Sequence, residues 1–225
     1  MSEDVSEMKK QFYWQGLRVP YIAPWSAEKT PPYTIVDRVV RGRPGIGYID
    51  ETHLDRRRGV LWMRQGVARG VGTPAFGGVH SLRQRQCMVY LLCQVCGNST
   101  FDDHFTAWGE RHLWVARATE GRALQEGEIT AMPPICLPCA LESVNACPRL
   151  RARTTAALVT YVEPWGVLGV PYDPQSLRPM PPSAWESAGQ APVGSSREPW
   201  MQAAQSLVTL RRVTPVDLRD LAAAR

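Results

Sequence analysis

Two pairs of cysteines are the residues of this sequence best suited to chemistry. Two residues separate Cys93 from Cys96, and two separate Cys136 from Cys139. This spacing lets both thiolates of a pair turn toward one cation, and two pairs complete the tetrahedron of sulfur ligands that Zn²⁺ accepts. Gly97 follows the first pair, where backbone N–H groups must point at sulfur. The spacing therefore predicts one structural zinc site with these four cysteines as ligands.

Other uses of the four cysteines fit the pattern less well. A disulfide framework belongs to oxidising compartments, and no apolar stretch follows the charged N-terminus to direct secretion. A thioredoxin-like redox site would need a βαβ context and a single pair. An iron–sulfur cluster also uses four thiolates, but the order of the surrounding elements favours zinc. We expect Cys87 and Cys147, the two remaining cysteines, to be free thiols.

The elements around the cysteines are predicted to be a knuckle and a helix start. A helix from Ser81 leads toward Cys93, and Ser81 and Gln84 match a capping box. A strand over residues 112–118 lies between the two pairs, and Cys136 opens a second helix, whose positive end lowers the pKa of thiols placed there. A knuckle, a strand-bearing insert and a helix start is the order of elements in a treble-clef finger.

Composition divides the chain into four parts. Residues 1–33 are a polar and then aromatic arm, and residues 34–172 hold the cysteines in a zinc-containing core. Residues 173–198, rich in proline, glycine and serine, are predicted to be a linker or a surface extension. Residues 199–225 are predicted to be a helical tail, because Trp200, Ala203, Leu207 and Leu210 recur at helical spacing.

Strand-like runs complete the expected fold. Three are predicted before the first helix, over residues 34–40, 45–50 and 59–64. Residues 156–163 and 165–172 are expected to form a hairpin with Pro164 at its bend. The predicted fold class is α+β, a treble-clef-like zinc core with short antiparallel strands, an N-terminal aromatic arm and a C-terminal helical tail.

The positive charge of the chain is mostly arginine. The net charge is +5, and the arginines are densest at a predicted hairpin tip and on the helix from Ser81, at Arg56, Arg57, Arg58, Arg83 and Arg85. A guanidinium group can bond two phosphate oxygens at once. These residues could contact a nucleic acid or a protein partner, and a solvated charged face is an equally good interpretation.

Catalysis is not favoured by the sequence. His104 and His112 lie in the insert where an HNH nuclease would carry catalytic histidines, but the helix after Cys136 has none, which would leave a catalytic metal short of ligands. Phosphate-loop, nucleophile-elbow and dinucleotide motifs do not occur. No apolar run is long enough to span a bilayer. We therefore expect a cytoplasmic, non-catalytic protein without a small-molecule substrate.

Several stretches together resemble a family of actinobacterial and actinophage zinc-knuckle proteins, over roughly residues 18–172. They are YIAPWS at 21–26, GYIDE at 47–51, GVLW at 59–62, FGGVHSLRQR at 76–85 and PICLPC at 134–139. Phage members of similar size include recombination directionality factors of large serine integrases. The resemblance implies a bacterial-host protein that binds such an integrase and switches it toward excision of the viral genome.

Three functional hypotheses follow from these observations. The first is a zinc-stabilised regulator of a DNA-recombination enzyme that acts through protein contact. The second is a zinc-finger DNA-binding regulator that uses the arginines between Arg56 and Arg85. The third is an atypical HNH-like nuclease that uses His104 or His112.

Overall fold

A computed structural model describes residues 9–118, 121–151, 153–185 and 189–223. Its strands are β1 (Tyr13–Trp14), β2 (Leu17–Arg18), β3 (Ile35–Val40), β4 (Arg43–Tyr48), β5 (Arg56–Arg57), β6 (Val60–Trp62), β7 (His112–Arg117), β8 (Ile129–Thr130), β9 (Thr154–Pro171), β10 (Gln190–Pro192) and β11 (Met201–Val216). Its helices are α1 (Ser81–Tyr90), α2 (Asp103–Ala107), α3 (Leu137–Ala146), α4 (Pro148–Arg151) and, after β11, α5 (Leu218–Ala223). Mixed α+β architecture with antiparallel strands agrees with the predicted fold class.

Two long strands, β9 and β11, are the centre of the main sheet. They pair antiparallel from Met201 opposite Pro171 to Val216 opposite Ala156. The other edge of β9 pairs with β7 near its start and with β10 near its end. The other edge of β11 pairs with β6, in parallel, and with β8. Each long strand therefore has neighbours on both edges, so this β9–β11 ribbon lies inside the sheet.

The predicted helical tail over residues 199–225 is wrong for most of its length, because residues 201–216 form β11. Its apolar side chains are buried in the sheet, but two bulges interrupt the pairing, between Ala203 and Gln205 and between Leu207 and Val208. Met201 to Ala203 and Leu207 to Leu210 are buried at consecutive positions, so the strand is covered on both faces and lacks the alternation of a half-buried strand. Its apolar residues therefore also fit a helical spacing. A helix does follow, as α5.

The predicted hairpin bend at Pro164 is also wrong, since β9 runs through it as one strand. Pro164 lies opposite Val208 and Gly166 lies opposite Leu207, so Trp165 is the extra residue of a bulge. A bulge locally disrupts the hydrogen-bond ladder, which is one of the few places where a sheet accepts a proline that cannot donate.

The shorter predicted elements are confirmed with small shifts. The three early strand predictions correspond to β3, β4 and β6, and the helix from Ser81 is α1. The capping box is wrong. His80 caps α1 without a side-chain bond, and the Gln84 side chain instead bonds both Ser206 of β11 and the carbonyl of Ala131. Burial of Gln84 against the sheet thus outweighs its use at the helix end.

The arm and the proline-rich segment both pack on the sheet and helices. Within the arm, Val19, Ala23 and Trp25 form a small buried cluster, and Tyr21 and Ile22 contact Cys87 of α1. In the proline-rich segment, β10 adds to the edge of β9 and fully buries Ala191. No helix of the described residues combines the length and the apolar character needed to cross a membrane.

Candidate metal centre

The four predicted cysteines come together, and their sulfur atoms all lie within 4.8 Å of one another. The Sγ atoms of Cys96 and Cys136 are 3.9 Å apart. A disulfide would hold two sulfurs at about 2.05 Å, and all four cysteines are free. Sulfur ligands about 2.3 Å from a tetrahedral ion would be roughly 3.8 Å apart. The cluster is therefore of a size that could hold one metal ion.

The first pair lies on a tight knuckle after α1. The N–H of Cys93 donates to the carbonyl of Asn98 at 2.7 Å, and the N–H of Gly97 donates to the carbonyl of Cys93 at 2.8 Å. Gly97 has a φ of +76°, and a Cβ there would meet the ring of Tyr21 at 2.8 Å. The turn requires glycine at this position because both the backbone conformation and the space exclude a side chain.

The second pair lies at the start of α3, as predicted. Cys136 is the N-cap residue and Cys139 lies in the first turn. The N–H of Ile135 donates to the carbonyl of Leu113 in β7 at 2.9 Å, which fixes the chain just before the helix. The positive end of the helix macrodipole faces these two sulfurs and favours their thiolate forms.

The sulfur cluster is embedded in a hydrophobic core. Cys93 and Cys139 are almost fully buried. The apolar side chains packed with them come from the knuckle, the residues just before α3, and β7, β9, α3 and α5. They include Val95, Leu113, Ile135, Ala140, Leu158 and Leu218. Such surroundings exclude water and strengthen electrostatic interactions at the sulfurs.

Arg18 is a residue of this centre that sequence reasoning missed. Its Nη1 donates to the Sγ of Cys139 at 3.2 Å and to Oε2 of Glu142 at 2.9 Å. Burial alone would lower the pKa of Arg18, but the neighbouring Cys139 and Glu142 raise it. A divalent ion bound by four thiolates would carry a net charge of about −2, and this guanidinium would compensate part of that charge. It also ties the arm, through β2, to the metal centre.

The two other cysteines lie outside the cluster. Cys87 is fully buried on α1, where burial raises the pKa of its thiol to about 12. A thiol with so high a pKa is a poor nucleophile and a poor ligand. Cys147 caps the C-terminal end of α3. Neither joins the group of side chains that could bind the ion.

The histidines are also separate from the centre. His112 is buried in β7, its Nδ1 lies 2.8 Å from Oγ1 of Thr100, and burial lowers its pKa. His104 lies on α2 with its Nδ1 4.0 Å from a carboxylate oxygen of Asp102. Over the described ranges, the four cysteines are the one group of three or more ligating side chains close enough to share an ion.

The five arginines selected from the sequence fall into different environments. Arg83 is buried and binds Glu28 in bidentate fashion, with N–O distances of 2.5 and 2.7 Å. Arg56 binds Glu51 in the same way, at 2.6 and 2.8 Å. Arg85 stacks over Trp62, whereas Arg57 and Arg58 are exposed. Arg83 and Arg56 therefore serve the fold, and neither guanidinium is free for a phosphate.

Glu28 is a second residue that the sequence did not reveal. Its carboxylate, fully buried, also accepts from the N–H of Trp25 at 2.8 Å. Burial would raise the pKa of Glu28, but the hydrogen bonds from Arg83 lower it.

Comparisons of the whole chain with protein-family models, with curated proteins and with solved structures found no match.

Proposed function

We propose that the four cysteines hold a structural Zn²⁺. The observation that carries this proposal is the closed sulfur cage. All four ligands come from the protein, they lie within 4.8 Å of one another, and the core around them is apolar. Zinc sites that perform catalysis keep a position open for water or substrate, whereas structural sites are filled by four protein ligands. The arrangement of knuckle, β7 and helix start further supports a treble-clef-like centre.

The function proposed for the whole protein is non-catalytic regulation. A closed metal cage supports a scaffold, and the resemblance over residues 18–172 supports a role beside a DNA-recombination enzyme. The specific proposal is a phage-type recombination directionality factor, which binds a large serine integrase in the bacterial cytoplasm and switches it toward excision. Protein contact, with no chemistry of its own, is the proposed means of action.

Metal analysis of the purified protein tests the zinc proposal. We expect about one zinc per chain, lost in Cys136→Ser. Cys147→Ser is the matched control, since it removes a thiol near the same helix but outside the cage. Zinc retained by Cys136→Ser, or lost equally from both variants, would contradict the assignment of ligands.

A reconstituted recombination reaction tests the regulatory proposal. An integrase from the same genome is incubated with its excision substrates, with and without this protein. We expect excision only when the protein is present, together with co-elution of the two proteins. If the zinc-loaded protein neither binds the integrase nor changes the direction of recombination, this role is wrong, while the zinc assignment is judged separately.

A further inference from the structure

Two neighbouring hairpins turn through the same dipeptide. Arg41–Gly42 connects β3 to β4, and Arg58–Gly59 connects β5 to β6. All four residues have positive φ, between 52° and 92°, as a type I′ turn requires. Asn, Asp and Gly are the residues preferred at the first of these positions. An arginine there is disfavoured, because its Cβ crowds the backbone in the left-handed conformation.

The two turns lie against each other. The Arg41 side chain passes over Gly59, so that a Cβ on that glycine would lie 3.3 Å from Nε of Arg41. Arg57 is the residue before the second turn. Arg85 stacks over Trp62 at 4.4 Å. Burial lowers the pKa of Arg85, and the positive charge of Arg57 lowers it further. Three separate elements thus contribute arginines to one surface, the twin-turn surface, which we define as Arg41, Arg57, Arg58 and Arg85.

The nearby carboxylates are already occupied by other arginines. Glu51 pairs with Arg56 and more distantly with Arg38, and Arg64 binds both Asp50 and Asp55. By contrast, the twin-turn arginines have no ion pair with any described residue. Asp37, exposed on β3, is the remaining carboxylate of these two hairpins. Like charges held together without counter-charges create a positive field that attracts anions.

We propose that the twin-turn surface binds the phosphate backbone of duplex DNA. Guanidinium groups match phosphate oxygens in fork geometry, and the exposed tips Arg41 and Arg58 can reach a polyanion without displacing the hairpins. Contacts of this kind position a protein on DNA without reading its sequence. DNA contact goes beyond the regulatory function proposed above and does not depend on the integrase.

Binding of the zinc-loaded full chain to a fluorescein-labelled duplex of random sequence tests this surface by anisotropy. The test variant is Arg41→Asn/Arg58→Asn, because asparagine suits the turn and removes both charges. Each phosphate contact contributes about −0.9 to the slope of log K against log salt. We expect the double variant to lose about two units of slope between roughly 50 and 200 mM salt. Its affinity at the low-salt end should fall about a hundredfold, as the loss of two such contacts implies.

Two control variants separate this surface from general effects. Gln15→Asn changes the same position of the Gln15–Gly16 turn between β1 and β2, which has positive φ at both residues but no charge. Arg117→Asn/Arg219→Asn removes two exposed charges on β7 and α5. Both controls should keep most of the duplex affinity.

Three results would overturn the proposal. The first is wild-type protein that does not bind the duplex at low salt. The second is a twin-turn variant that binds like the wild type or like the Arg117/Arg219 control. The third is a twin-turn variant that keeps duplex binding but loses integrase binding, which would assign the surface to a protein partner. None of these results alters the metal content, so the zinc proposal stands or fails separately.

Discussion

The cysteine centre and the β9–β11 ribbon hold this protein together in opposite ways. The cysteine centre gathers its stabilising contacts into four side chains on a knuckle and one helix turn. The β9–β11 ribbon spreads them over two strands of 18 and 16 residues that pair along nearly their whole length. A concentrated centre should fail when one residue changes, whereas a distributed ladder should tolerate most single changes.

Removal of the proposed zinc ion should distinguish the two regions most strongly. Binding free energies of structural zinc sites are roughly 10–16 kcal/mol and contribute directly to folding. We expect a chelator to expose the amides of Cys93 and Gly97 to hydrogen exchange, while ribbon amides distant from the cysteines, such as Val170 and Gln202, remain protected. Exchange rates measured residue by residue, with and without chelator, check this. Simultaneous loss of protection everywhere would show that the two regions unfold as one unit.

Glu28→Gln should have the next largest effect, because it tests a second concentrated centre. The substitution leaves the Arg83 charge buried without its partner, and breaking a buried ion pair in this way costs about 3–5 kcal/mol. Urea denaturation measures the free energy of unfolding. Glu142→Gln is the control, since its pair with Arg18 is half-exposed and should cost about 1 kcal/mol or less. If both variants lose the same free energy of unfolding, burial of the Glu28–Arg83 pair does not increase its contribution to stability.

Gly169→Ala tests whether the β9–β11 ribbon has its own sensitive positions. A Cβ at Gly169 would lie 2.2 Å from the carbonyl oxygen of Gln202, so the two strands must separate locally. We expect a loss of about 1–3 kcal/mol in the free energy of unfolding, as for other overpacked sites. Gly77→Ala, with open space around the added carbon, should be close to neutral. A stability equal to wild type for Gly169→Ala would mean that the ribbon adjusts even here.

A pH titration should give the smallest effect. Hydrogen bonds from Arg64 lower the pKa of Asp55 to about 2, below the value of about 3.9 in an unfolded chain. The pair therefore stabilises the fold above pH 4, and this contribution disappears as the pH falls toward 2. Solvent screening limits it to the order of 1 kcal/mol. In Asp55→Asn, the free energy of unfolding should lack this decrease between about pH 4 and pH 2. A dependence on pH equal to that of the wild type would contradict the prediction.

The cysteine centre could be predicted from the sequence because its information is local. The spacing between Cys93 and Cys96 and the helix start at Cys136 are each contained in a few residues, and the structure has both as predicted. The α+β class followed similarly from short runs of strand-like and helix-like residues. Helix ends were harder, since Gln84 bonds across to β11 instead of closing a capping box.

The β9–β11 ribbon and the Glu28–Arg83 pair could not be predicted for a physical reason. Burial on both faces removes from β11 the alternation by which half-buried strands are identified. Pro164 suggests a bend at a position where a bulge accepts it. Glu28 and Arg83 are 55 residues apart, and nothing near either residue indicates the other. Contacts of this kind depend on the completed fold and leave no mark in a short stretch of sequence.

The central place of β11 also has a consequence for protein synthesis. This strand lies between β9 and β6 although it follows both in the chain by many residues. Until the ribosome has released the chain beyond Val216, β6 and β9 each present an unpaired edge, which is a template for association with other chains. The sheet can therefore close only after β11 has emerged from the ribosome, and a chain interrupted before β11 should aggregate instead of folding.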